Sequence, residues 1–369
     1  MPRTLQPDRQ LLVVTLALCF IGAVMVFSAS AMTATEMFGN GYIFLIRQLV
    51  AIIFGFAGMF WLMNTDYRKL RQPRVIFTGL AVTFVLLVAV FFLDRSHQTH
   101  RWFRLGPFSL QPSELAKLAL ILYLAWFIEI RRAPQGFGIN HVTHTLIPAL
   151  GTVLLMAGLV VKEPDMGTAF MIVLIAFVML FAAGLSMRAV GGFALASLPV
   201  IYLLIVRVPY RLERVRAFLN PSSDLKGRGF QLAQSLIAVG SGGFSGVGLM
   251  ESRQKLFFLP EAHTDFIFSV ICEEIGFIGA VIVLVLFAVY GWRGFCAAMK
   301  APDDFGRYLA LGITTMVVGQ AMINLSVVLG MMPTKGIPLP FISYGGSSLV
   351  VMLLATGVLL NISQHADVT

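Results

Sequence analysis

The sequence predicts an all-α polytopic membrane protein of about ten transmembrane helices, and three observations carry that prediction. Charged residues make up 12% of the 369 residues against 58% hydrophobic, about half the charged fraction of an ordinary soluble domain. The mean hydropathy of +0.85 is more apolar surface than one soluble core hides from water. Apolar runs long enough to cross about 30 Å of hydrocarbon recur along the chain, and no alternation of period two competes for a barrel.

The runs fall near 11–32, 43–63, 75–93, 115–130, 145–161, 170–185, 190–206, 266–290, 308–331 and 346–363. The polar start, Met1 to Gln10, precedes an apolar run of more than 20 residues with no small-residue cleavage site. It reads as a retained first span rather than a removed signal peptide. Orientation follows from the short loops. With the N-terminus inside, the inner segments hold twelve basic residues: Arg3, Arg9, Arg68, Lys69, Arg71, Arg74, Arg131, Arg132, Arg188, Arg293, Lys300 and Arg307. The short outer loops hold five: Arg95, Arg101, Arg104, Lys162 and Lys335. That bias places the N- and C-termini in the cytoplasm, as an even number of spans requires.

One long extracytoplasmic loop, 207–264 between helices 7 and 8, breaks the charge pattern with Arg207, Arg211, Arg214, Arg216, Lys226, Arg228, Arg253 and Lys255. Long loops are exempt from the inside bias, but the charge calls for an anionic headgroup or pyrophosphate at the outer surface. The net charge of +9 is therefore read as membrane-protein basicity, with no nucleic acid implied. Cys19 and Cys272 sit in apolar runs and Cys296 in a basic loop, which suggests no disulfide framework.

Charges at membrane depth are costly and so informative. In Gln111–Lys117, Ser113 is a candidate helix cap, and Glu114 and Lys117 lie three apart on one face. A structural ion pair is the plain account, and the wall of a polar cavity is the functional one. Arg47 is their candidate counter-charge, unless it snorkels. Lys162–Thr168 is either a surface turn or a segment dipping into a water-filled vestibule. At the entrance to the eighth run, Glu261, His263 and Asp265 crowd together beside the basic loop. Thr264 or Asp265 reads most simply as an N-cap, but a carboxylate beside an anion-binding surface also suits group transfer from a phosphorylated lipid. Glu273 and Glu274, deeper in the run, read as structural hydrogen-bonding groups. The Gly-rich Gly240–Gly246 lacks the Gly-Lys-Ser/Thr ending of a phosphate loop and is read as flexible loop. Pro333–Gly346 is too rich in Pro and Gly for a regular helix and must be an outer or re-entrant loop. Zinc or haem ligand spacing is absent, and no Ser/His/Asp arrangement stands out.

Several segments together resemble the SEDS family (shape, elongation, division and sporulation proteins) over nearly the whole chain. They are Arg101-Trp102-Phe103-Arg104-Leu105-Gly106, Gln111-Pro112-Ser113-Glu114, Glu163-Pro164-Asp165-Met166-Gly167-Thr168, Gln234-Ser235, Pro260 to Phe266 and Pro338 to Ser347. Asn220-Pro221, Leu259 to Asp265 and Pro333-Thr334-Lys335-Gly336 are closer to its division members than to its elongation members.

The resemblance implies a processive, metal-assisted peptidoglycan glycosyltransferase using lipid II in septal cell-wall synthesis. The sugar 4-hydroxyl of one lipid II would be the acceptor, and the growing strand on undecaprenyl pyrophosphate the donor. The family's essential aspartate falls on Asp265, which becomes the expected general base. Arg211, Arg214, Arg216, Lys226 and Lys255 are the candidates to neutralise the leaving pyrophosphate. Glu114 and Lys117 match family cavity residues, and Arg101, His263, Lys335 and Ser343 join them as expected substrate-binding residues within the matching segments. A divalent cation, Mg or Mn, is the expected helper, with no organic cofactor. The implied partners are lipid II, the nascent strand, membrane lipid, a class B penicillin-binding protein acting as septal transpeptidase, and regulatory divisome subunits. The implied location is the bacterial cytoplasmic (inner) membrane at the division septum, with the active site on the periplasmic side. Rival readings are a lipid II flippase and a non-catalytic division scaffold.

Overall fold

The computed structural model describes residues 6–94, 101–105, 108–219, 228–256 and 258–365. All ten predicted apolar runs fall on helices: α1 (Arg9–Phe38), α2 (Ile43–Met63), α3 (Pro73–Leu93), α4 (Pro112–Arg132), α5 (Ile147–Lys162), α6 (Met166–Ala182), α7 (Met187–Val206), α10 (Ile267–Met299), α11 (Asp304–Val328) and α12 (Gly346–His365). Among the described residues seven helices are long and apolar enough to cross a membrane: α1, α2, α3, α10, α11, α12 and α5 with the π-turn (Val142–Leu146) before it. The apolar α6 is shorter. Large side chains such as Phe20, Trp61, Phe92 and Phe277 stand exposed, as lipid-facing positions should. The protein is a polytopic helical membrane protein.

Local chemistry sets the helix ends. Asp8 accepts from Gln10 N and Leu11 N at the start of α1, and Asp303 accepts from Gly306 N at the start of α11. Ser113 does not cap α4. Pro112 occupies the first helical position and pushes the start back to Gln111, so the Ser113 hydroxyl lies one turn position too late and is buried without a partner. α12 runs along α2, while α11 packs between α10 and α4. At the end opposite the site described below, Arg293–Asp8 (2.5 Å), Arg71–Glu129 (2.9 Å) and Arg68–Asp303 (3.5 Å) tie helix ends together.

Two expectations change. The segment 207–264, read as loop, carries two helices, α8 (Pro209–Leu219) and α9 (Arg228–Ser241). In α9, Leu232, Ser235 and Ala238 recur at three-residue spacing and are all buried, giving one inward stripe, while Leu236 and Ile237 are exposed. The charge of the segment masked that periodicity. Second, the Gly-rich 240–246 is a structural insert, not a free loop. α10 breaks at Gly276, whose φ is +73°, and the insert supplies the missing ladder. Val247 N and Gly248 N donate to the Glu273 and Glu274 carbonyls, while Phe277 N and Ile278 N donate to Gly243 O and Phe244 O. Backbone broken at membrane depth must be re-satisfied by protein.

Gly246 is essential to that insert. It sits at φ +80°, and a Cβ there would overlap the Glu274 carbonyl oxygen. Gly246→Ala is expected to lose at least the left-handed penalty of about 1–2 kcal/mol and the close approach as well. The expected outcome is loss of the monodisperse peak on size-exclusion chromatography in detergent. A normal peak with unchanged melting temperature would remove the insert from the stabilising framework.

Candidate functional site

The site gathers where four irregular stretches meet: the β-hairpin approach to α4, the turn between α5 and α6, the entrance to α10, and the Pro- and Gly-rich segment before α12. The hairpin pairs β1 (Phe103–Leu105) with β2 (Phe108–Leu110). Asp94 holds its base by accepting from Arg101 N (3.0 Å) and Trp102 N (3.3 Å).

Asp265 does not cap α10. The cap position is Phe266, with no side-chain capping bond, so the carboxylate is left for other work. The backbone before it turns tightly: Glu261 takes φ +57°, Phe266 N reaches back to Glu261 O (3.3 Å), and the Thr264 hydroxyl donates to the Glu261 carboxylate (2.8 Å). The Asp265 side chain is half-buried. A Cβ built on Gly336 would lie 3.3 Å from its Oδ2, which places the Pro/Gly segment directly over the carboxylate. Burial, then the negative charges of Glu261 and Asp165, push Asp265 up to about 7, against the pull of Arg214 and Arg101. A carboxylate that titrates near neutrality beside two cations is the kind of perturbed group that marks working sites.

The residues expected around it divide. Arg214 donates to the Thr334 carbonyl (3.3 Å), putting its guanidinium at the Pro/Gly segment. Arg211, on the same helix, is buried, and Arg216 is exposed. Lys226 lies outside the described residues. Arg101 donates through Nε to Glu163 O (2.8 Å) and through Nη2 to Pro164 O, so it braces the α5–α6 turn while influencing Asp265. His263 packs its ring against Phe44 and Tyr344, and burial lowers its pKa, which keeps it neutral. Ser343 Oγ donates to Thr264 O (2.5 Å) and accepts from Leu339 N (2.8 Å). Lys335 sits 4.4 Å from the Phe170 ring centroid, with its pKa lowered by burial.

Three expected residues are engaged elsewhere. Lys255 is buried against Glu274 (2.7 Å) and Ser28 (3.0 Å), so its charge is already met inside the protein and it is not free for a pyrophosphate. Glu114 and Lys117 pair at 2.9 Å, both buried, and Lys117 Nζ donates to Gln320 Oε1 (2.6 Å). Arg47 stacks 5.7 Å from the Phe38 ring centroid and lines a separate, mostly apolar cavity of about 410 Å³ with Phe54, Tyr344 and Ser347. It is not the counter-charge of the Glu114–Lys117 pair. Glu273 holds Ser252 Oγ (2.5 Å) and Arg253 N (3.0 Å), the structural role expected of it.

Three further residues shape the site, and only Asn324 went unnoticed in the sequence. Asp165 caps α6 through Thr168 N and Thr168 Oγ and holds Gln111 Nε2 (3.0 Å). Glu163 is fully buried, with both carboxylate oxygens lacking a hydrogen bond, and burial lifts it to about 8. Asn324, on α11, donates to Asp265 O (2.7 Å) and Ile337 O (2.8 Å). The Glu-Pro-Asp spacing flagged the first two, whereas an Asn inside an apolar run gave only the generic signal of a polar group needing a partner. Among the described residues no three His, Cys, Asp or Glu side chains converge to hold a metal ion.

Comparison with known proteins points one way. Residues 9–368 match the FtsW/RodA/SpoVE family, described as cell cycle proteins, and the chain belongs to that family. A probable peptidoglycan glycosyltransferase FtsW of Trichlorobacter lovleyi is 44% identical, over 98% of this chain and 94% of its own length. The stage V sporulation protein E of Bacillus subtilis is 42% identical over 98% of each. Among solved structures, a chain of a peptidoglycan synthase complex that coordinates polymerization and crosslinking superposes with a TM-score of 0.78. That chain is 34% identical over 97% of each. The rod shape determining protein RodA of Thermus thermophilus superposes with a TM-score of 0.70 at 31% identity over 98% of each.

Folding raises the Glu163 pKa above its ordinary value of 4.5 to about 8, so the folded state holds a proton that the unfolded chain releases. Stability therefore falls as pH rises through that window. Glu163→Gln is expected to melt at higher temperature than wild type at pH 8 and at nearly the same temperature at about pH 5. A lower melting temperature at pH 8 would show that the carboxylate is stabilised there as the anion.

Proposed function

We propose that this membrane protein is a peptidoglycan glycosyltransferase that polymerises lipid II at the outer face of the cytoplasmic membrane during septal wall synthesis. The observation that carries the mechanism is the Asp265 carboxylate. It is released from capping, titrates near neutrality and lies within reach of the charges of Arg214 and Arg101. A general base works best with a pKa near the operating pH.

In the proposed step Asp265 takes the proton of the 4-hydroxyl of one lipid II as that oxygen attacks the anomeric carbon of the growing strand. The new glycosidic bond forms with inversion, the bond to the pyrophosphate oxygen breaks, and undecaprenyl pyrophosphate departs with its electron pair. Negative charge grows on the leaving group, and preorganised cations stabilise it. Arg214, with Arg211, Arg216 and Lys226 on or beside the same segment, supplies that charge. Lys255 does not, because Glu274 already holds it. Any Mg or Mn would arrive with the substrate pyrophosphate and add positive charge there.

The topology belongs to the same proposal. All ten helices at the predicted runs span the membrane, both termini are cytoplasmic, and 207–264 covers the site from outside. The basic bias of the opposite end supports this orientation. A class B penicillin-binding protein crosslinks the strand, divisome subunits regulate it, and the pair acts at the septum. The likeness to a chain of a complex that couples polymerization and crosslinking supports the transpeptidase partner. A lipid II flippase would use the spans and buried charges equally well, but it gives a near-neutral carboxylate at the outer end no task.

Purified protein given labelled lipid II is expected to make polymer, and Asp265→Asn to lower the rate by about 10²–10⁴. Polymer at the wild-type rate from Asp265→Asn would end the general-base assignment, while lipid II translocation in vesicles without polymer would favour the flippase. The rate should fall as pH drops through about 7, where Asp265 gains its proton. Arg214→Gln removes a charge that lowers that pKa, so the acid limb should move to higher pH; a limb moving down would contradict the electrostatics. Reversing Arg214 and Arg216 to Glu together should weaken lipid II use with the fold intact.

A further inference from the structure

Two carboxamides one helical turn apart on α11 grip the segment that lies over Asp265. Gln320 Nε2 donates to Pro338 O (2.9 Å). Asn324 Nδ2 donates to both Ile337 O (2.8 Å) and Asp265 O (2.7 Å). Both side chains are buried, at 1% exposure each, and residues four apart share one helix face. Asn324 thus joins the two strands of chain that must stay in register: the one bearing the carboxylate and the one roofing it. The roof begins at Gly336, next to the two gripped carbonyls and in contact range of Asp265 Oδ2.

A Gln amide has two faces, and the wrong one would point its oxygen at the Pro338 carbonyl. The choice is forced from α4. Lys117 Nζ, a donor with no acceptor capacity, sits 2.6 Å from Gln320 Oε1, so the Gln320 oxygen must face Lys117 and its NH2 must face Pro338. Glu114 in turn holds Lys117 through both carboxylate oxygens, at 3.0 and 2.9 Å. Every member of this chain is buried. Lys117 is buried, and its contacts go to a glutamate and an amide, not to open space.

We propose that Gln320 and Asn324 are positioning residues for the Asp265 base, and that the Glu114–Lys117 pair acts through Gln320 by fixing its amide orientation rather than by binding substrate. The proposal rests on the reading of Asp265 as the base.

The test is a mutant cycle on lipid II polymerisation, reading kcat and KM separately, between Gln320→Leu and a neutralised pair (Glu114→Gln with Lys117→Met). Misplacing the roof should lower kcat by about ten- to a hundredfold with KM within about twofold. If the pair acts through Gln320, the combined variant should be no slower than Gln320→Leu alone, because residues acting as one unit are non-additive. Multiplying effects, or a raised KM confined to the neutralised pair, would overturn the proposal in favour of direct substrate contact. Should the neutralised pair fail to give monodisperse protein, Gln320→Glu carries the test. It keeps an acceptor for Lys117 and puts a carboxylate oxygen in place of the donor to Pro338, and wild-type kcat there overturns the proposal. Asp265→Asn run in parallel separates the two readings: a normal rate there sinks the base itself, whereas an inactive Asp265→Asn beside a normal Gln320→Glu sinks only the positioning.

Discussion

Peptide groups cannot lie unpaired in hydrocarbon, and that constraint shapes the working end of this molecule. Two stretches of chain leave the helical pattern where helices surround them. The first, 242–248, replaces the ladder of α10 across Gly276 and ties the segment before α10 to that helix by four backbone bonds. The second, Pro333–Gly345, has no helix of its own. Side chains of α11 and α2 satisfy its carbonyls: Gln320 at Pro338, Asn324 at Ile337 and Gln48 at Ser343. Because those partners come from rigid helices, the irregular segment is held as firmly as they are. Asp265 inherits that order through Asn324 and Gly336.

The same economy explains the buried charges. An isolated ion at this depth would be too costly to keep, and a paired one survives only when its remaining hydrogen-bonding capacity is also met. Lys255 and Glu274 meet that condition with Ser28, pinning the segment before α10 to α1 and α10. Glu114 and Lys117 meet it through Gln320 on the lysine side, while Glu114 Oε2 is held by the ion pair alone. The first pair joins the irregular stretch before α10 to helices, and the second lies within α4 and reaches α11 through Gln320. Glu163 is the exception, a buried carboxyl with no hydrogen bond and a raised pKa, which makes it a local cost of building the α5–α6 turn beside Asp165.

The ten helical runs were legible because long apolar stretches carry the signal in bulk, and chemistry at their ends moved boundaries by a few residues. The segment 207–264 was not legible as helix, since eight basic residues in it drew attention to charge and away from the spacing of Leu232, Ser235 and Ala238. Asp265 was visible as a residue and ambiguous as a role. A carboxylate before a helix is most often a cap, and only the placement of Phe266 at the cap position removes that account. Lys255 was misread for the opposite reason: a basic residue in a polar stretch looks free until its partner, nineteen residues on at Glu274, is seen in space. Gln320 and Asn324 could not be found from pattern, because an amide in an apolar run says only that some partner exists.

Asp265 is poised by opposition rather than by any single neighbour. Burial and two nearby carboxylates favour its protonated form, and two arginines favour the anion. Those arginines are themselves anchored to backbone carbonyls, Arg214 at Thr334 and Arg101 at Glu163 and Pro164, so the field they exert is fixed in direction. Fixed dipoles and charges need no reorganisation when charge develops, which is the condition under which electrostatics accelerates a reaction most. The anchoring carbonyls belong to the Pro/Gly segment and to the α5–α6 turn, neither of which is helical. The irregular backbone that the membrane makes so costly is therefore also what aims the cations at the carboxylate. Replacing either stretch by helix would satisfy its peptide groups more simply and leave Asp265 without its counterweights.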